Sequence, residues 1–268
     1  MRKWRLALTT LPWVALVLGL AFIRQDVLRV RALVDFGDIG PVLTGVALLI
    51  GLMVAGVITD FKESERLPAD LATTLETIDD ALVTAHGVTP FDVWAVRKRF
   101  YDLTLVIEAW MLNRVRPEEC FQALRRLNGL VADVERAGAS AVYIARLLAE
   151  HHNLRKTITR IDVIRRTKFI ETGYALLDIL LVTTLLLLIF SQFKNWQVQG
   201  LVLGTLSLIY IYLVRLIRDL DNPFDYDPAR MERSAADVST HPLTEYRQRL
   251  ERALDQEMPL TAGHEVTA

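Results

Sequence analysis

The chain has 268 residues, 52% of them hydrophobic and 24% charged, and its mean hydropathy is +0.27. A positive hydropathy beside an ordinary charged fraction requires segregation, with some stretches nearly charge-free and others holding the charge. The net charge of −1 gives no global basic field for nucleic acid, and the single cysteine, Cys120, excludes an internal disulfide framework and fits a reducing compartment.

Leu6 to Ile23 (LALTTLPWVALVLGLAFI) is the first apolar stretch and holds no charged residue. Its basic start (Arg2, Lys3, Arg5) resembles a signal peptide, but no small-x-small cleavage motif precedes Arg24, so it reads as a retained span. Pro41 to Thr59 (PVLTGVALLIGLMVAGVIT) is also uncharged. Each is near the ~17–25 residues that a helix needs to cross the hydrocarbon core.

Residues 61–170 read as helices throughout, with no strand alternation of any length. The pattern predicts a helix after Pro68 that Gly87 stops. A second starts at Thr89-Pro90-Phe91-Asp92, with Thr89 as N-cap and Pro90 at the first helical position. Pro117-Glu118-Glu119 begins a third, which Gly138 ends. Ser140 caps a long fourth helix that runs on toward the next span. On it, Ile144, Leu147, His151, Leu154, Ile158 and Ile161 alternate three and four apart, a stripe suited to packing between long helices or subunits.

Ala175 to Phe190 is apolar apart from Asp178, and Val198 to Val214 is the fourth apolar stretch. Arg215 and Arg218 follow the fourth, Lys62 and Arg66 follow the second, and Arg165, Arg166 and Lys168 precede the third. Lys194 alone lies between the third and fourth. The distribution places both termini and the middle block in the cytoplasm. Arg24, Arg29 and Arg31 in the first loop run against this, although Asp26, Asp35 and Asp38 accompany them. Trp4 and Trp196 fall where an interfacial belt would be, whereas Trp13 lies inside a span.

The reading is an all-α membrane protein, with four transmembrane helices and a cytoplasmic helical domain between the second and third. Its parts are a hairpin at 1–60, the helical domain at 61–170, a second hairpin at 171–217, and an acidic turn with a tail at 218–268. The tail holds one amphipathic helix, Leu243 to Leu254, in reach of a neighbouring subunit. A bacterial inner membrane is the expected setting, with lipid and further copies of the chain as partners.

Asp178 is the one carboxylate inside a span, and Glu171, seven residues earlier, shares its helix face. A charge in hydrocarbon is costly, so such a residue faces a pore, a partner or another helix. Ala47, Gly51, Ala55 and Thr59 recur every four residues in the second span, and small residues let helices approach closely. The same stripe turned to a central axis gives a wide pore wall, with the Ile50, Val54 and Ile58 face as the alternative. Gly200 and Gly204 form a GxxxG pair that indicates packing. His151 and His152 point to different helix faces and make a poor metal site. Cys120 has no histidine partner in sequence, and no P-loop, GxGxxG, HExxH or GxSxG is present. The chain does not read as an enzyme.

The stretch RDLDNPFDYDP (Arg218 to Pro228) crowds Asp219, Asp221, Asn222, Asp225 and Asp227 after the last span. Asp221, Asn222, Asp225 and Asp227 supply hard oxygen donors that suit a calcium-like cation, without the spacing of an EF-hand loop. Asn222-Pro223 also ends a helix, which makes a solvated exit the plainer reading.

Two stretches together resemble the bestrophin family of pentameric anion channels. VITDFKESERLPADL (Val57 to Leu71) is similar to the segment leaving the family's pore-lining second helix. Asn222-Pro223-Phe224 followed by acids is similar to the turn after its fourth span. The resemblance implies a funnel of five subunits with the second span lining the pore, and it puts Leu43, Ala47 and Gly51 at the family's apolar constriction. Two of those three are small. It also implies calcium at the acidic turn, where Asp225 stands at the family's glycine and Asp227 keeps a matching acid. The function expected is an oligomeric channel for small anions. A non-conducting scaffold that docks a partner through its cytoplasmic helices, and a proton-linked transporter using Asp178 and Glu171, are the alternatives.

Overall fold

The computed structural model describes residues 4–166, 171–193, 195–221, 223–224, 226 and 237–257. Eight α-helices follow in chain order: α1 (Arg5–Phe22), α2 (Phe36–Val88), α3 (Val93–Met111), α4 (Pro117–Arg136), α5 (Ala141–Arg166), α6 (Glu171–Ile189), α7 (Trp196–Leu220) and α8 (His241–Glu257). A π-turn, Ile23–Val27, continues α1. Four helical stretches are long and apolar enough to cross a membrane: Leu6–Val27, Phe36–Val88, Thr172–Ile189 and Trp196–Leu220. The chain is an all-α membrane protein.

The chain divides into two compact units. The first comprises Met1–Lys62, Thr167–Pro223 and Arg233–Asp237. Here α1 packs on α7 and α6, and α6 packs on α7. Its core gathers Val14 and Val17 of α1, Ile39, Val46, Ile50 and Val57 of α2, Leu177 and Leu188 of α6, and Leu203, Val214 and Ile217 of α7. Lipid tails are as apolar as leucine, so close packing rather than escape from water holds such helices together. Gly204 faces α1, where an added Cβ would lie 3.8 Å from Leu18 Cδ1. Gly200 has open space at the same position, so only one member of the GxxxG pair serves this packing within the chain.

Two short strands differ from the all-helical expectation. Val34–Asp35 (β1) pairs in parallel with Ser191–Gln192 (β2), Val34 opposite Ser191 and Asp35 opposite Gln192. The Leu33 amide donates to the Phe190 carbonyl at 3.0 Å, and the Phe36 and Phe193 rings lie 4.8 Å apart. Two-residue strands carry too few positions for alternation to register, and their partners are distant in sequence.

The second unit comprises Glu63–Arg166, Phe224–Glu232 and Val238–Ala268. In it α3 packs on α4 and α8, and α4 packs on α5. No new helix starts at Pro68, contrary to expectation: α2 runs through it to Val88, one residue beyond Gly87. Proline removes one backbone hydrogen bond. The stripe of Leu67, Leu71, Leu75, Ile78, Leu82 and Ala85, all buried, supplies packing on both sides of that break.

The start of α3 also differs. Asp92, not Thr89, is its N-cap, and its carboxylate accepts from the Ala95 amide at 2.9 Å. Thr89 instead closes α2, its amide donating to the Ala85 carbonyl. Helix α4 follows the expectation, with Pro117 at its start, Glu118 and Glu119 where the helix dipole favours acids, and Gly138 beyond its end at φ +94°. Ser140 Oγ accepts from the Val142 amide at the head of α5. All six stripe residues of α5, Ile144 to Ile161, are buried. The join between α5 and α6 lies outside the described residues.

Helix α8 packs within its own chain. Tyr246 Oη donates to the Leu75 carbonyl at 3.2 Å, and Trp94 Nε1 donates to the Leu254 carbonyl at 3.3 Å. Thr244 Oγ1 lies 2.7 Å from Glu108 Oε1, and Arg247 pairs with Glu108 at 2.7 Å. Arg97, with a side chain 5% exposed, donates to both carboxylate oxygens of Asp79 at 2.8 Å and reaches Glu257 of α8. The two-pronged bond to Asp79 holds the guanidinium above its ordinary pKa, against the opposing effect of burial.

Candidate pore helix and acidic turn

The first part of α2 has two unlike sides. Leu43, Val46, Ile50 and Val57 are buried, whereas Val54 and Ile58 are half-buried. Ala47, Gly51, Ala55 and Thr59 are exposed in the single chain. A four-residue step drifts by about 40° around a helix, so Leu43 stands about 120° from Ala55 although both belong to the same series. That drift turns Leu43 inward and leaves Ala47, Gly51 and Ala55 outward. Tyr210 Oη of α7 donates to the Leu43 carbonyl at 2.7 Å, on the inward side of α2.

The outward side is built of small groups. A Cβ added at Gly51 meets nothing within 4 Å, and the same holds at Gly45 and Gly56. Thr44 and Thr59 direct their hydroxyls back to the carbonyls of Gly40 and Ala55. Leu48, Leu49 and Leu52 flank the small residues and are also exposed, at 64%, 46% and 63%. So much bare apolar surface on one helix requires a cover of lipid or other copies of the chain.

Asp178 is not isolated. Arg218 Nη2 of α7 donates to Asp178 Oδ1 of α6, and the Arg218 guanidinium sits 5.9 Å from the Tyr174 ring centre. Tyr174 Oη in turn donates to Asp221. Tyr174 and Asp178 are one turn apart on α6, and Arg218 and the C-cap Asp221 are one turn apart at the end of α7, so two adjacent ladders interlock. Sequence reasoning named both acids and missed the tyrosine and arginine between them. Their spacings of four and three residues were the available signal. The side chain of Glu171 lies outside the described residues, so the expected pairing of Glu171 with Asp178 has no geometry to report.

In the acidic turn, Asp221 caps the end of α7, its amide donating to the Ile217 carbonyl at 3.1 Å. Asn222, Asp225 and Asp227 lie outside the described residues. Among the described residues no group of three or more His, Cys, Asp or Glu could hold a metal ion, and the Asp221 carboxylate already accepts from Tyr174. The described residues therefore do not assemble a calcium site.

Beyond the turn, Phe224 and Tyr226 are fixed within the second unit. Asn113, in the left-handed region at φ +57°, donates through Nδ2 to the Phe224 carbonyl at 3.4 Å and the Tyr226 carbonyl at 3.1 Å. Asparagine tolerates that backbone better than most residues. Arg165 donates to the carbonyls of Trp110 and Met111 at the end of α3, with its guanidinium 4.6 Å from the Trp110 ring centre and 5.7 Å from that of Phe224. A cation at the C-terminus of α3 complements the helix dipole.

The remaining candidates are buried. His151 is 6% exposed and its Nε2 is enclosed without a partner. Burial pushes its pKa down, with Arg155 and His152 adding to the effect. Cys120 is fully buried, and burial pushes its thiol up to about 12. That suppresses the thiolate on which cysteine chemistry depends.

No protein-family model matches the chain, and no curated protein does. Solved structures do match. The crystal structure of a bacterial bestrophin homologue from Klebsiella pneumoniae superposes with a TM-score of 0.71 at 15% identity, covering 93% of this chain and 97% of that one. A single-substitution variant of that homologue gives a TM-score of 0.71 at 13% identity, over 92% and 98% of the two chains. A crystal structure described as a variant of a membrane protein gives 0.70 at 15%, over 93% and 97%. Identity this low carries the fold, and it does so along nearly the whole length of both chains. The chain has a bestrophin-like fold.

Proposed function

We propose that the chain is the subunit of an oligomeric membrane channel that passes small anions, with the outward side of α2 lining the path. The observation that carries this reading is the two-sided α2. Leu43, Val46, Ile50 and Val57 hold the helix to its own unit, and Ala47, Gly51 and Ala55 stay bare in a chain with a bestrophin-like fold. The family resemblance implies five copies around an axis, which would bring five such sides together. A wall of methyl groups, glycine backbone and threonine hydroxyls leaves room for a partly hydrated ion, and selectivity would come from width and wall polarity. No chemical step is required of any side chain.

The reading places both termini and the second unit in the cytoplasm of a bacterial cell, in keeping with the arginines and lysines that flank the spans on that side. The Arg218–Asp178 pair then lies toward the cytoplasmic ends of α6 and α7, as a structural tie between the two helices. Liposomes containing the purified protein and loaded with chloride or nitrate test the reading by passive efflux, with oligomer mass measured in parallel.

A further inference from the structure

Among the described residues, the guanidiniums of Arg97 and Arg165 have partners, although Arg165 Nε has none of its own, whereas that of Arg24 does not. Arg97 has Asp79 and Glu257, and Arg165 has two carbonyls and the Trp110 ring. Arg24, the second residue of the π-turn after α1, is 7% exposed, and its Nε and Nη1 are both enclosed without a hydrogen-bond partner. Asp26, Asp35 and Asp38, the acids nearest in sequence, are exposed, and none forms an ion pair with it among the described residues.

A guanidinium does not shed its proton in a protein. An unpaired charge taken out of water costs several kcal/mol even after relaxation. Burial of Arg24 therefore calls for a counter-charge. The π-turn adds a residue to one helical turn, and such turns gather at functional sites. Arg24 extends the buried series Thr10, Val14, Val17 and Ala21 along α1, so it is carried into the unit while Gln25 and Asp26 stay outward.

We propose that Arg24 binds a small inorganic monovalent anion, of the class of chloride, bromide or nitrate, at the end of the first apolar helix remote from the N-terminus. One fixed cation is matched by one negative charge. Access restricted to the remaining 7% of the residue favours a bare ion over a bulkier lipid headgroup or organic acid. The site stands on Arg24 alone, so it holds for a conducting and for a non-conducting protein.

The test uses the full chain in neutral detergent, unfolded by heat in sodium bromide or sodium gluconate at equal ionic strength, so that screening is matched. The wild-type midpoint is expected to rise in bromide and saturate with concentration. Arg24→Gln is expected to lose the saturating rise, keeping only the salt effect common to both proteins, and to match or exceed the wild type in gluconate, because the unpaired charge is gone. An identical bromide response in both proteins, or none in the wild type, overturns the proposal. Bromide anomalous scattering from wild-type crystals decides independently of whether the variant folds. A peak at the Arg24 guanidinium supports the site, and a carboxylate of a neighbouring copy seated there without bromide overturns it.

Discussion

The phenol of Tyr210 on α7 donates its hydrogen to the main-chain carbonyl of Leu43 on α2 at 2.7 Å, with Tyr210 only 3% exposed. That bond joins α7 to the buried side of α2, beside the packing of Leu43, Val46, Ile50 and Val57. Tyr210→Phe keeps the ring and removes the donor. The expected loss is about 0.5–1.5 kcal/mol, the usual range for one hydrogen bond, including those between membrane helices. Thermal unfolding in detergent reads it. An unchanged midpoint would mean that apolar packing alone orients α2.

Asp178 separates the channel from the transporter. Its partner Arg218 gives it a structural role, and both side chains are about half exposed in the single chain, at 53% and 48%. Asp178→Asn is expected to leave passive flux within about twofold of the wild type, because a pore depends on the width and polarity of its wall. Loss of flux with the protein still folded would return the acid to the transport step.

Arg97 is the polar centre of the second unit. Removing one partner of a buried ion pair costs about 3–5 kcal/mol, because the other charge is left stranded. Arg97→Met strands Asp79, which is 8% exposed. Glu257→Gln removes a carboxylate whose side chain is 44% exposed and should cost under about 1 kcal/mol. Paired denaturation curves compare the two. Equal losses would show that Asp79 is not the group Arg97 serves.

His151 predicts acid sensitivity. Burial, Arg155 and His152 hold its pKa below the ordinary imidazole value. The unfolded chain takes up a proton near pH ~6.5 and the folded chain only at lower pH. Between those values the unfolded state binds more protons, so stability falls as pH drops, by at most about 1.4 kcal/mol per pH unit. The unfolding midpoint should decline from neutral pH toward pH ~5, and His151→Leu should flatten the decline. A slope that the substitution leaves intact would assign it to other groups.

What was legible in the sequence was whatever repeats along the chain. Four apolar runs of sufficient length announced the membrane helices, and the three-four spacing from Ile144 to Ile161 announced the buried side of α5. Pro117 and Gly138 marked α4 at both ends because those residues act locally. Pro68 misled because tertiary burial of Leu71 and Leu75 outweighs one missing hydrogen bond. Thr89 and Asp92 are both good caps, and only the Ala95 amide distinguishes them.

Pairings across long separations left no such trace. Arg97 meets Glu257 across 160 positions, and Tyr210 meets Leu43 across 167. The sides of α2 were half legible. The small-residue stripe was plain, but its rotation is set by packing partners on distant helices, and nothing near Leu43 in sequence indicates them.

On the proposed reading, the exposed side of α2 lines an anion path through an oligomer. Chloride or nitrate efflux from liposomes tests it most directly, with wild type and Gly51→Phe compared at equal protein and oligomer mass measured beside them. Gly51 has open space around it within the chain, so the variant should fold, and its oligomer mass reports whether it assembles. Passive efflux is expected from a wild-type oligomer, with at least about a tenfold reduction in Gly51→Phe, because a bulky ring narrows the wall. A monomer or dimer without efflux, or efflux that Gly51→Phe leaves unchanged, would contradict it.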